Sequence, residues 1–164
     1  MKMFSSYHTF SLLAIALVLA FAVPLKAQNT AEDYLKAHNR ARARVGVGPL
    51  VWNTTVADYA LSYAKQRLDC RLILSNGPYG EVLVLGATDL SAEEAVTVMV
   101  NQGADYFYDT NTCREGKRCE AYKQVVWRKT VSLGCARVIN CANGGSLTIC
   151  NYDPAGNVAG ERPF

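Results

Sequence analysis

The side chains that could do chemistry are few. Beyond residue 27 the chain has one histidine, His38, and six cysteines: Cys70, Cys113, Cys119, Cys135, Cys141 and Cys150. A serine or cysteine nucleophile needs a base within hydrogen-bond reach, and a lone histidine at helical spacing reads as structural. A zinc site needs several imidazole, thiolate or carboxylate ligands, yet there is no C-x-x-C pair and no histidine near the cysteines. The even count therefore reads as three disulfides, with about 15 pairings left open by spacing alone. Three other sites stand out. Glu81 follows a glycine-rich turn, and Tyr106-Phe107-Tyr108 could flank a rigid apolar ring system while offering hydroxyls to its polar end. Asn53-Thr54-Thr55 fits the N-glycosylation rule, although the asparagine also sits where a helix cap is wanted; Asn111-Thr112-Cys113 is a weaker acceptor.

The compartment follows from the amino terminus. Lys2 precedes an apolar run from Phe10 to Val23, interrupted only by Ser11, and Ala27 offers a cut before Gln28. This is the pattern of a secretory signal peptide over residues 1–27, and the run is short for a bilayer span. Leu25 is large for its place before the cut. What remains, about 137 residues, is one domain of ordinary size. Lys2 and Lys26 leave with the signal and no acidic residue does, so the formal charge falls from +3 to +1. A balance so close to neutral argues against a nucleic-acid partner. No second apolar stretch is long enough to insert stably in a membrane.

These residues must be positioned by elements that the pattern also predicts. Thr30 with the acidic Glu32 and Asp33 opens a helix carrying Tyr34, Leu35, His38, Ala41 and Val45 on one face, and Gly46 with Gly48-Pro49 ends it. A second helix fits Thr55 to Leu68. Ser91-Ala92-Glu93-Glu94 is a capping box for a third, running to about Gln102 and burying Ala95, Val98 and Met99. Glu81 to Leu85 is a short apolar segment of either type. Residues 106–118 read as a long loop closed by Cys113 and Cys119. Strands fit Gln124–Arg128, Ser132–Val138 and Ser146–Tyr152, and Asn143-Gly144 suggests an antiparallel turn. Helices first and strands later make the fold class α+β, in one domain over residues 28–164.

Several of these motifs together resemble the plant pathogenesis-related protein 1 family of the CAP superfamily. They include Asp33-Tyr34-Leu35, His38-Asn39, Leu50-x-Trp52, Ser75-Asn76-Gly77-Pro78-Tyr79-Gly80-Glu81, Gln124-Val125-Val126-Trp127 and Cys150-Asn151-Tyr152-Asp153-Pro154. The resemblance spans nearly all of the chain after the signal. It implies an α-β-α sandwich around an antiparallel sheet, with pairings Cys70–Cys135, Cys113–Cys119 and Cys141–Cys150. The first would close a loop of about 65 residues, a stabilisation on the order of 4 kcal/mol in the chain-entropy model.

In the family two histidines and two glutamates converge in a cleft that can bind a divalent metal. Those positions fall here on Leu74, Glu81, Gln102 and Ala121, so only Glu81 keeps an ionisable group. No metal and no cofactor are expected. Glu81 reads as a structural carboxylate bonded to backbone, and the cleft as more apolar than in its relatives. Aromatic residues near Tyr106, Phe107 and Tyr108 are associated in the family with sterol binding. The end of the chain, residues 154–164, resembles the signalling peptides cut from such proteins, with the cut between Asp153 and Pro154 and Phe164 in place of the usual tyrosine. The expected protein is monomeric, non-enzymatic and secreted to the apoplast, with the vacuole as a second destination. Its expected partners are a sterol or related lipid and a receptor for the tail peptide. The readings weighed are lipid-binding defence protein, peptide precursor and, disfavoured by Leu74, Gln102 and Ala121, metal-dependent hydrolase.

Overall fold

The computed structural model describes residues 29–142 and 144–164; the expected signal segment and Asn143 of the expected turn lie outside them. Helix α1, Ala31–Arg44, begins with the N-cap foreseen at Thr30, which Asp33 closes reciprocally into a capping box. It ends where Gly46, at φ +70°, donates to the Ala43 carbonyl and Val47 donates to that of Arg42. This 6→1 and 5→2 pair is what a left-handed glycine after a helix makes available. Strand β1, Val51–Trp52, leads into α2, Thr54–Ala64. Asn53 caps α2 through Oδ1, 2.9 Å from the Thr55 amide. Strand β2, Gly80–Gly86, takes the segment whose type the pattern left open. Helix α3, Ala92–Asn101, has the Ser91–Glu94 capping box and buries Ala92, Ala95, Val96 and Met99; Val98 is exposed, contrary to expectation.

Two other expectations fail. Residues 106–118 are not a bare loop: after a 3₁₀ turn, Gln102–Asp105, the short strands β3, Tyr106–Phe107, and β4, Thr112–Cys113, pair antiparallel. The strand expected over Gln124–Arg128 is replaced by helix α4, Glu120–Val125. Val125, Val126 and Trp127 favour a strand locally. Ala121, Gln124 and Val125 nonetheless fall at helical spacing, and burying them as one face decides the outcome.

Strands β5, Ser132–Val138, and β6, Ser146–Asp153, complete a sheet ordered β1-β5-β6-β2. β2, β6 and β5 are antiparallel, but β1 pairs parallel with β5, so the sheet is mixed rather than wholly antiparallel. Alternation along the strands sorts the core into two layers. Val82, Val84, Leu133, Cys150 and Tyr152 join the cluster containing Tyr34, Met99 and Val125 from α1, α3 and α4. Leu147, Ile149 and Val138 join Ala64 of α2 on the other face. Because both faces are covered, β6 is buried over Ser146–Tyr152. This is an α-β-α sandwich.

Three disulfides form, but not all as expected. Cys113–Cys119 joins β4 to the start of α4. The others are Cys70–Cys141 and Cys135–Cys150, in place of Cys70–Cys135 and Cys141–Cys150. Register is the reason: Cys135 lies directly opposite Cys150 across β5 and β6, with their Cα atoms 4.1 Å apart. Cys141, just beyond β5, is left for Cys70, just beyond α2. Their sequence separation of 71 gives a loop whose closure is again on the order of 4 kcal/mol.

Candidate functional site: an aromatic nest beneath the carboxyl-terminal strap

The four cleft positions have different surroundings. Leu74 is 53% exposed. Glu81 alternates with Val82 and so faces the α2 side of the sheet. There it accepts from the Ser75 amide and the Ser75 hydroxyl, both at 2.7 Å, and from Asn151 Nδ2 at 3.0 Å. These bonds brace the glycine turn against β6. Gln102 and Ala121 lie on the opposite side, where Gln102 Oε1 accepts from the Ala121 amide at 3.1 Å and so ties the end of α3 to α4.

His38 is a core residue. It is fully buried, with Nδ1 2.8 Å from the Tyr34 carbonyl and Nε2 2.8 Å from the Tyr152 hydroxyl. A carbonyl can only accept, so the proton sits on Nδ1 and Nε2 takes the phenol's hydrogen. Burial, reinforced by the Arg42 charge, pulls its pKa down to about 4. The Arg42 guanidinium is buried beside it and donates to the carbonyls of Gly48, Val125, Trp127 and Thr130 at 2.7–3.0 Å. Arg42 therefore pins α1 to the turn after α4, a role that its place in a helical pattern did not signal.

The aromatic run is organised by the β3–β4 hairpin. Pairing of Tyr106 with Cys113 turns Tyr106 toward the body of the protein, where its ring lies 6.1 Å from Tyr122 and 6.3 Å from Phe164. Tyr108 stacks on Phe164 at 5.1 Å. Burial raises the phenol pKa of Tyr106 and Tyr122, so both rings stay neutral. Phe107 points outward, 47% exposed, beside the Arg114 guanidinium at 5.7 Å; Tyr108 is 45% exposed. One ring is thus packed and two are partly open. Tyr122 and Phe164 complete the nest. Neither was singled out with it, because sequence distance hid that residues 106, 122 and 164 meet.

Phe164 arrives there because residues 154–164 form a strap across the segment 106–130. Gly156 lies so close to Trp127 that a Cβ there would fall 2.7 Å from the indole ring. Elsewhere, a shallow groove of about 290 Å³ runs between α1 and α3, floored by Ala37, Ala41, Val96 and Val100, with the Arg40–Glu93 ion pair at its rim.

A disulfide-tied α-β-α sandwich with three helices on one face, one helix on the other and a carboxyl-terminal strap defines a distinct class of domain. The sequence matches the model of the Cysteine-rich secretory protein family, CAP, over residues 35–152. The chain belongs to that family. It is similar to pathogenesis-related protein 1 of Arabidopsis thaliana, at 52% identity over 98% of this chain and 99% of the relative. It is 49% identical to pathogenesis-related protein 1C of Nicotiana tabacum, over 98% and 95% of the two chains. Among solved structures, the venom allergen-like protein 4 of Schistosoma mansoni superposes with a TM-score of 0.63 at 25% identity, covering 81% of this chain and 92% of that one.

Proposed function

We propose that this is a secreted, non-enzymatic plant defence protein that binds a sterol or related lipid through the β3–β4 hairpin. The defence role is supported by relatives named pathogenesis-related protein 1 that match almost end to end. The observation that carries the lipid reading is the outward presentation of Phe107 and Tyr108 on a hairpin held by Cys113–Cys119 and backed by Tyr106, Tyr122 and Phe164. A rigid aromatic shelf of this kind can lie against a flat apolar ring system without first paying to order a loop. Catalysis is disfavoured by chemistry: both His38 nitrogens are engaged in the core, and all six cysteines are in disulfides. Among the described residues no helix is long and apolar enough to cross a membrane. The direct test is sterol binding by the purified protein. Phe107→Ala and Tyr108→Ala should each weaken it about tenfold. Equal affinity in wild type and both variants would refute the hairpin site.

A second reading, precursor of a tail peptide, is favoured by the exposure of Pro154 and Ala155 directly after β6. Its test is detection of a fragment beginning at Pro154 in extracellular fluid after infection or wounding.

A further inference from the structure

The strap is held from one end to the other, and its hydrogen-bond and ion-pair partners lie in the segment 106–130. At its start the Thr130 hydroxyl donates to the Pro154 carbonyl at 2.8 Å, and the Gly156 amide donates to Gln124 Oε1 at 2.8 Å. In the middle Asn157 Nδ2 reaches the Glu120 carbonyl at 3.0 Å, and Asn111 Nδ2 reaches that of Glu161 at 2.9 Å. Glu161 also pairs with Lys129 at 2.8 Å. Toward the end Arg162 donates to the Tyr108 and Asp109 carbonyls, at 3.2 and 2.9 Å, and its guanidinium lies over the Tyr108 ring at 5.6 Å. The Pro163 carbonyl accepts from the Arg128 amide at 2.6 Å, and Pro163 is buried. Finally Phe164 enters the nest while its carbonyl oxygen accepts from the Tyr108 hydroxyl at 2.9 Å.

We infer that this surface is a peptide-binding site whose resident ligand is the chain's own tail, so that cutting the Asp153–Pro154 bond does not by itself free the peptide. The site suits an extended peptide with an aromatic residue at its far end, gripped by backbone hydrogen bonds and one aromatic anchor. The inference rests on the precursor reading only for its biological occasion. A protease would add water across the amide, leaving a carboxylate on Asp153 and a protonated secondary amine on Pro154. None of the contacts above needs that bond. Polar contacts spread along eleven residues, with a stacked ring at the far end, convert release into a second, separately controlled step. Removal of the peptide also takes Phe164 from against Tyr106, Tyr108 and Tyr122, which couples release to the packing behind the aromatic shelf.

The test imposes the cut, so its outcome is independent of whether any natural protease makes it. A specific protease site is inserted between Asp153 and Pro154 of the full-length chain, and the folded, oxidised protein is nicked. Native mass spectrometry and gel filtration at about 10 µM then follow the fragment. The expected result is co-migration of fragment and body. Dissociation should be about tenfold faster in Phe164→Ala and in Arg162→Ala, and close to wild type in Phe164→Tyr. Immediate loss of the wild-type fragment on nicking would overturn the inference. So would equal dissociation from wild type and Phe164→Ala, or unfolding of the body when nicked, which would make the strap an integral part of the core.

Discussion

Acid should destabilise this protein through one buried imidazole. His38 is fully buried, bonded on both nitrogens, and held neutral by desolvation and by Arg42, with its pKa lowered from the ordinary 6.5 to about 4. As pH falls the unfolded chain takes up this proton first. The stability contributed by the neutral ring is therefore complete above pH 6.5 and is lost progressively down to pH 4. Linkage over that interval gives about 2 kcal/mol lost by pH 5 and about 3 kcal/mol by pH 4. Carboxylates protonate over part of the same range, so the measurement is a difference. Denaturant unfolding, with disulfides intact, is compared at pH 7 and pH 4 for wild type and His38→Gln. Wild type should lose about 3 kcal/mol more than the variant over this interval, although the variant starts less stable because the buried ring's packing is lost. Parallel pH dependence in the two proteins, or an imidazole that titrates near 6.5 by NMR, would refute the reasoning.

Peptide mapping of the oxidised protein should recover Cys70–Cys141, Cys113–Cys119 and Cys135–Cys150; a Cys70–Cys135 peptide would contradict the β5–β6 register. Gly134→Ala should destabilise by about 3 kcal/mol, because a methyl there would run into the α2 backbone at Val56 and Ala57, which cannot yield as a side chain could. Glu81→Gln should cost about 1–2 kcal/mol in unfolding experiments, since an amide nitrogen would then face one of the donors on Ser75 or Asn151. Sterol affinity should not change in that variant; a large loss would make Glu81 a binding residue.

Much was legible without coordinates where the signal is local. The capping boxes at Thr30 and Ser91 placed two helix starts to the residue, because a cap is a hydrogen bond between neighbours in sequence. The identities of residues 74, 102 and 121 were likewise plain without coordinates, since ligand chemistry belongs to the side chain itself. The strand assigned to Gln124–Arg128 failed for the complementary reason: a run of so few residues has no period long enough to choose between strand and helix, and the layer it covers made the choice.

What the sequence determined by itself is the inventory: helix caps, six cysteines destined for each other, one histidine beyond residue 27, three aromatic residues in a row, and a tail with phenylalanine at its far end. What only the tertiary structure decided is which of these meet. Disulfide partners followed from strand register, which set Cys135 opposite Cys150. Glu81 met Ser75 and Asn151 because it lies opposite Asn151 across β2 and β6. Phe164 joined Tyr106, Tyr108 and Tyr122 because the strap doubles back over the hairpin and α4. Propensities and caps act over a few residues, whereas register and packing are set by burial summed over the whole chain, so the partners of distant residues emerge only when the layers close.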